Sequence, residues 1–268
     1  RPDFLHDWPW PRNDMIGSVR HGVKRALLRA VDNGWFGLRP LEAHVAMLGF
    51  PRSGSTLLQL MVETCVSDVR TFGKEYWAPA AAQYAFRNHP YMLTKTPWDV
   101  FFLDEIREFY ATRQAVVRFV LNVRDPRAIL TSSIDTVPHN RPDGYFMDLA
   151  QWGAYYEHVR YAQQFDDVLT VEYQDVVCRP ALVERRLAEF IGWHVHLPFD
   201  QFHTAIPRGF DTHALNGVRP LERSRLEAWR QEKHRERICR ILREIPDLPA
   251  SLIEMGYEPD TSWVQDYY

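Results

Sequence analysis

The stretch Val45-Ala-Met-Leu-Gly-Phe-Pro-Arg-Ser-Gly-Ser-Thr-Leu-Leu58 constrains this chain more than any other. An apolar run, a glycine-bounded turn and a renewed apolar pattern predict a buried strand, a tight loop and the start of a helix. Gly49 and Gly54 have the spacing of a phosphate-cradling loop, in which small residues let backbone N–H groups surround an anion. In the nucleoside-triphosphate version of that loop the last glycine is followed by Lys-[Ser/Thr], and the lysine reaches the β- and γ-phosphates. Here Gly54 is followed by Ser55 and Thr56, and the cation, Arg52, sits inside the loop. The segment predicts a site for a phosphate-like anion that lacks the triphosphate lysine.

Strand and helix patterns alternate from residue 44 onward. Val45–Leu48, Tyr91–Thr94, Val116–Val123 and Val168–Tyr173 are short and β-rich; helical stretches are expected near 55–65, 76–88, 98–110, 126–135 and 146–164. Such alternation implies an α/β fold in three layers, a central and mostly parallel sheet flanked by helices. Ligands in these folds gather at the carboxyl ends of the strands, which puts the 49–56 loop, Lys95 and Arg124 on one rim. Beyond residue 180 the chain reads as helices joined by proline-rich loops at Leu197–Phe210 and Asn216–Leu221. Residues 1–14 read as an irregular arm. Ile16, Val19, Val23, Leu27, Ala30 and Val31 then recur at helical spacing, giving a basic amphipathic helix packed on the domain. One globular domain is expected, residues 44–268, with residues 1–43 as arm and helix against it.

Composition narrows the function classes. With 268 residues and 46% hydrophobic content, the chain has enough apolar material for a sizeable core. Lys+Arg 32 against Asp+Glu 35 gives a net charge of −3, which argues against a general nucleic-acid binder. Cys65, Cys178 and Cys239 are far apart and form no CxxC pair, so neither a disulfide framework nor a cysteine zinc site is expected. No apolar run has the length of an integral membrane segment. The expected compartment is reducing and cytoplasmic; the chain starts at Arg1, so a Golgi luminal domain separated from a leader or anchor is the alternative.

A second strand–turn–helix unit, Phe119-Val-Leu-Asn-Val-Arg-Asp-Pro-Arg-Ala-Ile-Leu-Thr-Ser-Ser133, repeats the anion theme. Asp125 suits a helix N-cap and Pro126 the first helical position. Arg124 then stands at the strand's end and Ser132 two turns into the helix, a separation that can grip a second phosphate.

Taken together, Pro51-Arg-Ser-Gly-Ser-Thr-Leu-Leu58 resembles the 5′-phosphosulfate loop of sulfotransferases that use 3′-phosphoadenosine-5′-phosphosulfate (PAPS). Val123-Arg-Asp-Pro-Arg-Ala with Ser132 resembles their 3′-phosphate motif, and the likeness spans roughly residues 44–258. Lys95-Thr96-Pro97 replaces the Lys-Thr-His of cytosolic small-molecule sulfotransferases, so their histidine base is missing, and Leu57 stands where they carry an adenine-stacking tryptophan. The pattern is closer to tyrosylprotein sulfotransferases and related bacterial enzymes, in which a Gly-Glu-Glu segment supplies a glutamate base. Gly73-Lys-Glu75 lies in the corresponding stretch, shifted by two residues, and Arg219-Pro220 is the counterpart of a later Lys-Pro.

The resemblance implies a sulfuryl transfer from PAPS to a hydroxyl-bearing acceptor (small molecule, glycan or peptide tyrosine), leaving 3′-phosphoadenosine-5′-phosphate, with no metal. Arg52, the loop amides of Ser53, Gly54 and Ser55, and Thr56 are then expected on the 5′-phosphosulfate, and Leu57 beside the nucleotide. Lys95 would neutralise the bridging oxygen, Glu75 would take the acceptor's proton, Arg124 and Ser132 would hold the 3′-phosphate, and Arg219 would close over the nucleotide. A P-loop kinase using ATP and a non-catalytic nucleotide-binding protein are the competing readings. His194 and His196 alternate without completing a metal set; Asp104, Glu105 and Glu108 form a solvated helix face; Trp152, Tyr155, Tyr156 and Tyr161 read as core. His139–Gly144 is expected as a loop near the 3′-phosphate helix.

Overall fold

The computed structural model describes residues 26–28, 30–31, 33–82, 88–111, 113–133, 144–215 and 217–267. The N-terminal arm, most of the first expected helix, residues 83–87 of the expected helix 76–88 and residues 139–143 of the expected loop lie outside these. Five strands make one parallel sheet: β1 (Ala43–Gly49), β2 (Val69–Arg70), β3 (Tyr91–Lys95), β4 (Val116–Val123) and β5 (Val168–Glu172), in the order β2-β3-β1-β4-β5.

The sheet is covered on both faces, and the period of β1 shows why. Ala46, Leu48 and Phe50 point into one core cluster with the helices Leu103–Ala111 and Leu149–Ala162. Val45 and Met47 point the other way, against the helices Ser55–Cys65 and Pro180–Ile191. All seven residues of β1 are buried, as a central parallel strand requires.

β1 is also where the chain changes direction across the sheet. It pairs with β3 on one side and β4 on the other, so the crevice beyond its carboxyl end is the topological switch point. Gly49 closes it tightly: with φ +126, a β-carbon there would stand 2.3 Å from the Asn122 carbonyl oxygen of β4.

Local differences from the sequence reading have local causes. The expected helix 126–135 is only Pro126–Leu130. Asp125 caps it by accepting from Arg127 N–H at 2.8 Å, but the Thr131 hydroxyl donates back to the Arg127 carbonyl at 2.7 Å and the helix stops. Ser132 therefore lies past the helix end, not two turns inside it. The stretch 98–110 opens as a 3₁₀ turn, Pro97–Phe102, before the α-helix Leu103–Ala111. The two-residue strand Val69–Arg70 was too short to read. Tyr161, expected in the core, is 40% exposed and donates its hydroxyl to Asp104; Leu27, placed on the apolar stripe, is 46% exposed.

Candidate active site

The loop after β1 is built by two left-handed residues. Arg52 has φ 64 and Gly54 φ 88. The left-handed region costs a non-glycine residue roughly 1–2 kcal/mol, so Arg52 is held there by its surroundings. Ser53 fixes the turn: its hydroxyl donates to the Phe50 carbonyl at 2.6 Å, which turns the side chain inward rather than toward a ligand. Gly54 precedes the helix Ser55–Cys65 with no side-chain cap, leaving the first-turn N–H groups to face the crevice with the positive end of the helix.

The ends of β3 and β4 complete the rim. Lys95 is 3% exposed, and its Nζ donates to Glu75 Oε1 at 2.7 Å and to Thr56 Oγ1 at 3.1 Å. Glu75 keeps about half its side chain in solvent, so the pair has one buried and one open member. Arg124 donates from Nη1 to the Arg52 carbonyl at 3.1 Å and from Nη2 to the Arg225 carbonyl at 3.3 Å. Its guanidinium lies 4.4 Å from the Tyr173 ring centroid.

Arg52 and Ser132, assigned to different phosphates from sequence, meet directly: Arg52 Nε donates to Ser132 Oγ at 2.8 Å. Arg219 lies across the crevice in an ion pair with Glu222 at 3.3 Å, and Glu222 also pairs with Arg225 at 3.2 Å. Arg52, Arg124, Arg219 and Arg225 line a cavity of about 320 Å³ together with Gly54, Ser55, Thr56, Leu57 and Glu75; Ser53, Lys95 and Ser132 stand behind its wall and do not line it.

The electrostatics suit an anion. Burial, then the neighbouring Arg124 charge, pushes the Arg52 guanidinium down to about 10, and burial lowers Arg124 as well. Two guanidinium groups packed this closely are each stabilised by a bound negative charge. Among the described residues, buried Arg124 Nε and Arg219 Nη2 have no hydrogen-bond partner. Unpaired buried N–H donors are costly, and a phosphate oxygen satisfies them. The residues present fit a phosphate-like anion.

Several lining residues escaped the sequence reading. Tyr173 directly follows β5, so the rim rule alone would have located it. Trp98, Phe146, Phe202 and Val218 also line the cavity, with Arg52 over the Phe146 ring; their own segments carry no motif that marks them. Among the described residues there is no group of three or more His, Cys, Asp or Glu placed for a metal ion. His196 instead shares a hydrogen bond with Ser67 at 3.0 Å. No helix among them is long and apolar enough to cross a membrane.

A parallel sheet with a glycine-bounded loop at its switch point and cations on the neighbouring strand ends is a P-loop-like α/β fold. Residues 42–202 match the sulfotransferase domain family, and the chain belongs to that family. Among solved structures, the sulfotransferase domain from the Synechococcus PCC 7002 olefin synthase is 16% identical, with TM-score 0.50 over 71% of this chain and 88% of that one. A sulfotransferase domain from the curacin biosynthetic pathway is 14% identical, with TM-score 0.49 over 77% and 98%. The first likeness is one of fold. No curated protein sequence matches the chain significantly.

Proposed function

We propose that this domain moves a sulfuryl group from PAPS to an acceptor hydroxyl by in-line displacement, without a metal ion. The observation that carries the reading is the convergence of Arg52, Arg124 and Arg219 on one crevice, with Arg124 Nε and Arg219 Nη2 buried and unpaired and Lys95 behind the wall, bonded to the lining residues Thr56 and Glu75.

Sulfuryl transfer resembles phosphoryl transfer, with a loose transition state and negative charge growing on the leaving oxygen. The acceptor oxygen bonds to sulfur, the bond between sulfur and the 5′-phosphate oxygen breaks, and its electron pair stays on that oxygen. Lys95, pinned by Thr56 at the loop's edge, stabilises that charge; a preorganised donor of this kind contributes on the order of 3–4 kcal/mol. Glu75, on the open side of Lys95, accepts the acceptor's proton. Arg52 and the amides of Gly54, Ser55 and Thr56 bind the 5′ end, Arg124 the 3′-phosphate, and Arg219 closes over the nucleotide. Leu57, Phe202 and Val218 give the base an apolar seat. Ser132 acts on the donor through Arg52, whose side chain it holds. Three free cysteines favour a reducing compartment, in keeping with a cytoplasmic enzyme.

The test is calorimetric titration with 3′,5′-adenosine bisphosphate and with ADP, each with and without Mg²⁺. Metal-independent binding of the bisphosphate, with ADP much weaker, is expected. ADP preferred in the presence of Mg²⁺ would replace this reading with an ATP-dependent kinase.

A further inference from the structure

The segment that carries Glu75 is irregular between β2 and the short helix Ala78–Ala82, yet its backbone is tied down almost residue by residue. Gly73 N–H donates to Glu63 Oε1 at 3.2 Å, and the Gly73 carbonyl accepts from Asp211 N–H at 2.8 Å. The Lys74 carbonyl accepts from Gln59 Nε2 at 3.4 Å. Tyr76 N–H donates to the Lys95 carbonyl at 3.2 Å, and Ala78 N–H to Asp99 Oδ2 at 3.0 Å.

Two of these anchors come from the helix whose first turn forms the anion loop. Gln59 and Glu63 are one turn apart and locked together, Gln59 Nε2 donating to Glu63 Oε1 at 2.8 Å. The Thr71 hydroxyl bonds the same carboxylate, and burial pushes the Glu63 carboxyl above its ordinary range while these donors pull it back. Glu63 does not line the cavity. Its links close a ring: Glu75 to Lys95, Lys95 to Thr56, down the helix to Glu63, and back through Gly73 to Glu75.

We propose that Glu63, supported by Gln59, is a positioning residue that fixes the distance between the Glu75 carboxylate and the anion loop. The proposal rests on the reading of Glu75 as the base. With Glu63 removed, the ring opens between Gly73 and the helix; the bonds at Lys74, Tyr76 and the Gly73 carbonyl remain, but the segment N-terminal to Glu75 loses its closest tie to the helix, and Glu75 gains freedom about its half-exposed ion pair. The loop amides, Arg52 and Arg124 keep their places, so the loss falls on proton removal and not on donor binding.

The test compares the parent with Glu63→Ala and Glu63→Gln by three measurements. These are amide hydrogen exchange over residues 71–76, calorimetric titration with 3′,5′-adenosine bisphosphate, and sulfate release from radiolabelled PAPS with water as the acceptor. In Glu63→Ala, exchange is expected to speed up about ten-fold while bisphosphate affinity stays within about three-fold. Sulfate release at saturating donor should fall about ten-fold or more, and the Glu63→Ala/Glu75→Gln double variant should be no slower than Glu75→Gln alone. Glu63→Gln retains an oxygen for the Gly73 N–H and should retain most of the parent's rate. Gln59→Met, which removes the Lys74 bond and the bond to Glu63 but leaves the Glu63 bond to Gly73, is expected to show the same pattern at smaller amplitude, and it replaces Glu63→Ala should that variant fail to fold. Unchanged exchange, or rate losses that multiply in the double variant, would overturn the proposal. A parent that does not bind the bisphosphate would instead overturn the donor reading itself.

Discussion

The Tyr173 ring does two things at once: it lies under the guanidinium of Arg124, and it fills the space beside Gly54 where a β-carbon would stand. A single aromatic side chain from the end of β5 thereby sets both a cation on β4 and the loop that follows β1. The crevice is an assembly of several strand ends, although its clearest motif lies on one.

Gly54→Ala tests that packing. A β-carbon would sit 2.3 Å from Tyr173 Cδ2, at a φ of +88 that alanine adopts poorly. Calorimetry should show bisphosphate affinity lowered about ten-fold or more, since loop amides must shift to relieve the contact. Adding Tyr173→Leu should restore part of the loss by removing the clash while leaving the strained dihedral.

Arg124→Ala should erase most of the preference for 3′,5′-adenosine bisphosphate over AMP. A charge-assisted hydrogen bond contributes roughly 1.5–3 kcal/mol, so the affinity ratio should fall about 10- to 100-fold. Arg124→Lys should recover little, because an ammonium cannot stack on Tyr173 and reach two carbonyls together.

Lys95→Ala should lower sulfate release from labelled PAPS by about 100-fold or more at saturating donor, with a smaller change in bisphosphate affinity. Equal losses in the two measurements would make Lys95 a binding residue and remove its role on the leaving oxygen.

Asp99 predicts a pH dependence of stability. Burial pushes its carboxyl to about 8, the Glu75 charge adds to this, and the Ala78 N–H opposes it. Between about pH 4 and that value the native protein holds a proton that the unfolded chain has released, so stability falls as pH rises through the window. The urea midpoint of the parent should therefore be higher at about pH 5.5 than at about pH 8.5. Asp99→Asn, which still accepts from Ala78 N–H, should flatten that slope.

How much of this was legible in the sequence differs by element. β1, β4 and the helix Ser55–Cys65 came through because their burial patterns are continuous and their boundaries carry glycine, aspartate and proline. The positions of Arg52, Lys95 and Arg124 followed from one rule, that strand ends in parallel sheets share a rim. What did not come through depends on contacts distant in sequence. Ser132 looked helical because nothing in its own segment reveals that the Thr131 hydroxyl ends the helix. Trp98, Phe146 and Phe202 reach the cavity from three segments distant in sequence, two of them short 3₁₀ helices, whose convergence is decided by packing, and Glu63 reads as an ordinary helix carboxylate until Gly73 arrives beside it.

The hydrogen bond from Tyr76 N–H to the Lys95 carbonyl has a consequence for anyone wishing to retarget such a domain. Tyr76 and Lys95 form an isolated bridge, which puts Glu75 one residue from the bond that carries the cation, so residues 71–78 cannot be exchanged as a free cassette. One inserted residue would slide Glu75 out of step with Lys95, whatever side chains it brought. Grafting for a new acceptor is better confined to cavity walls outside this segment, where a change leaves the register of Lys95 and Glu75 untouched.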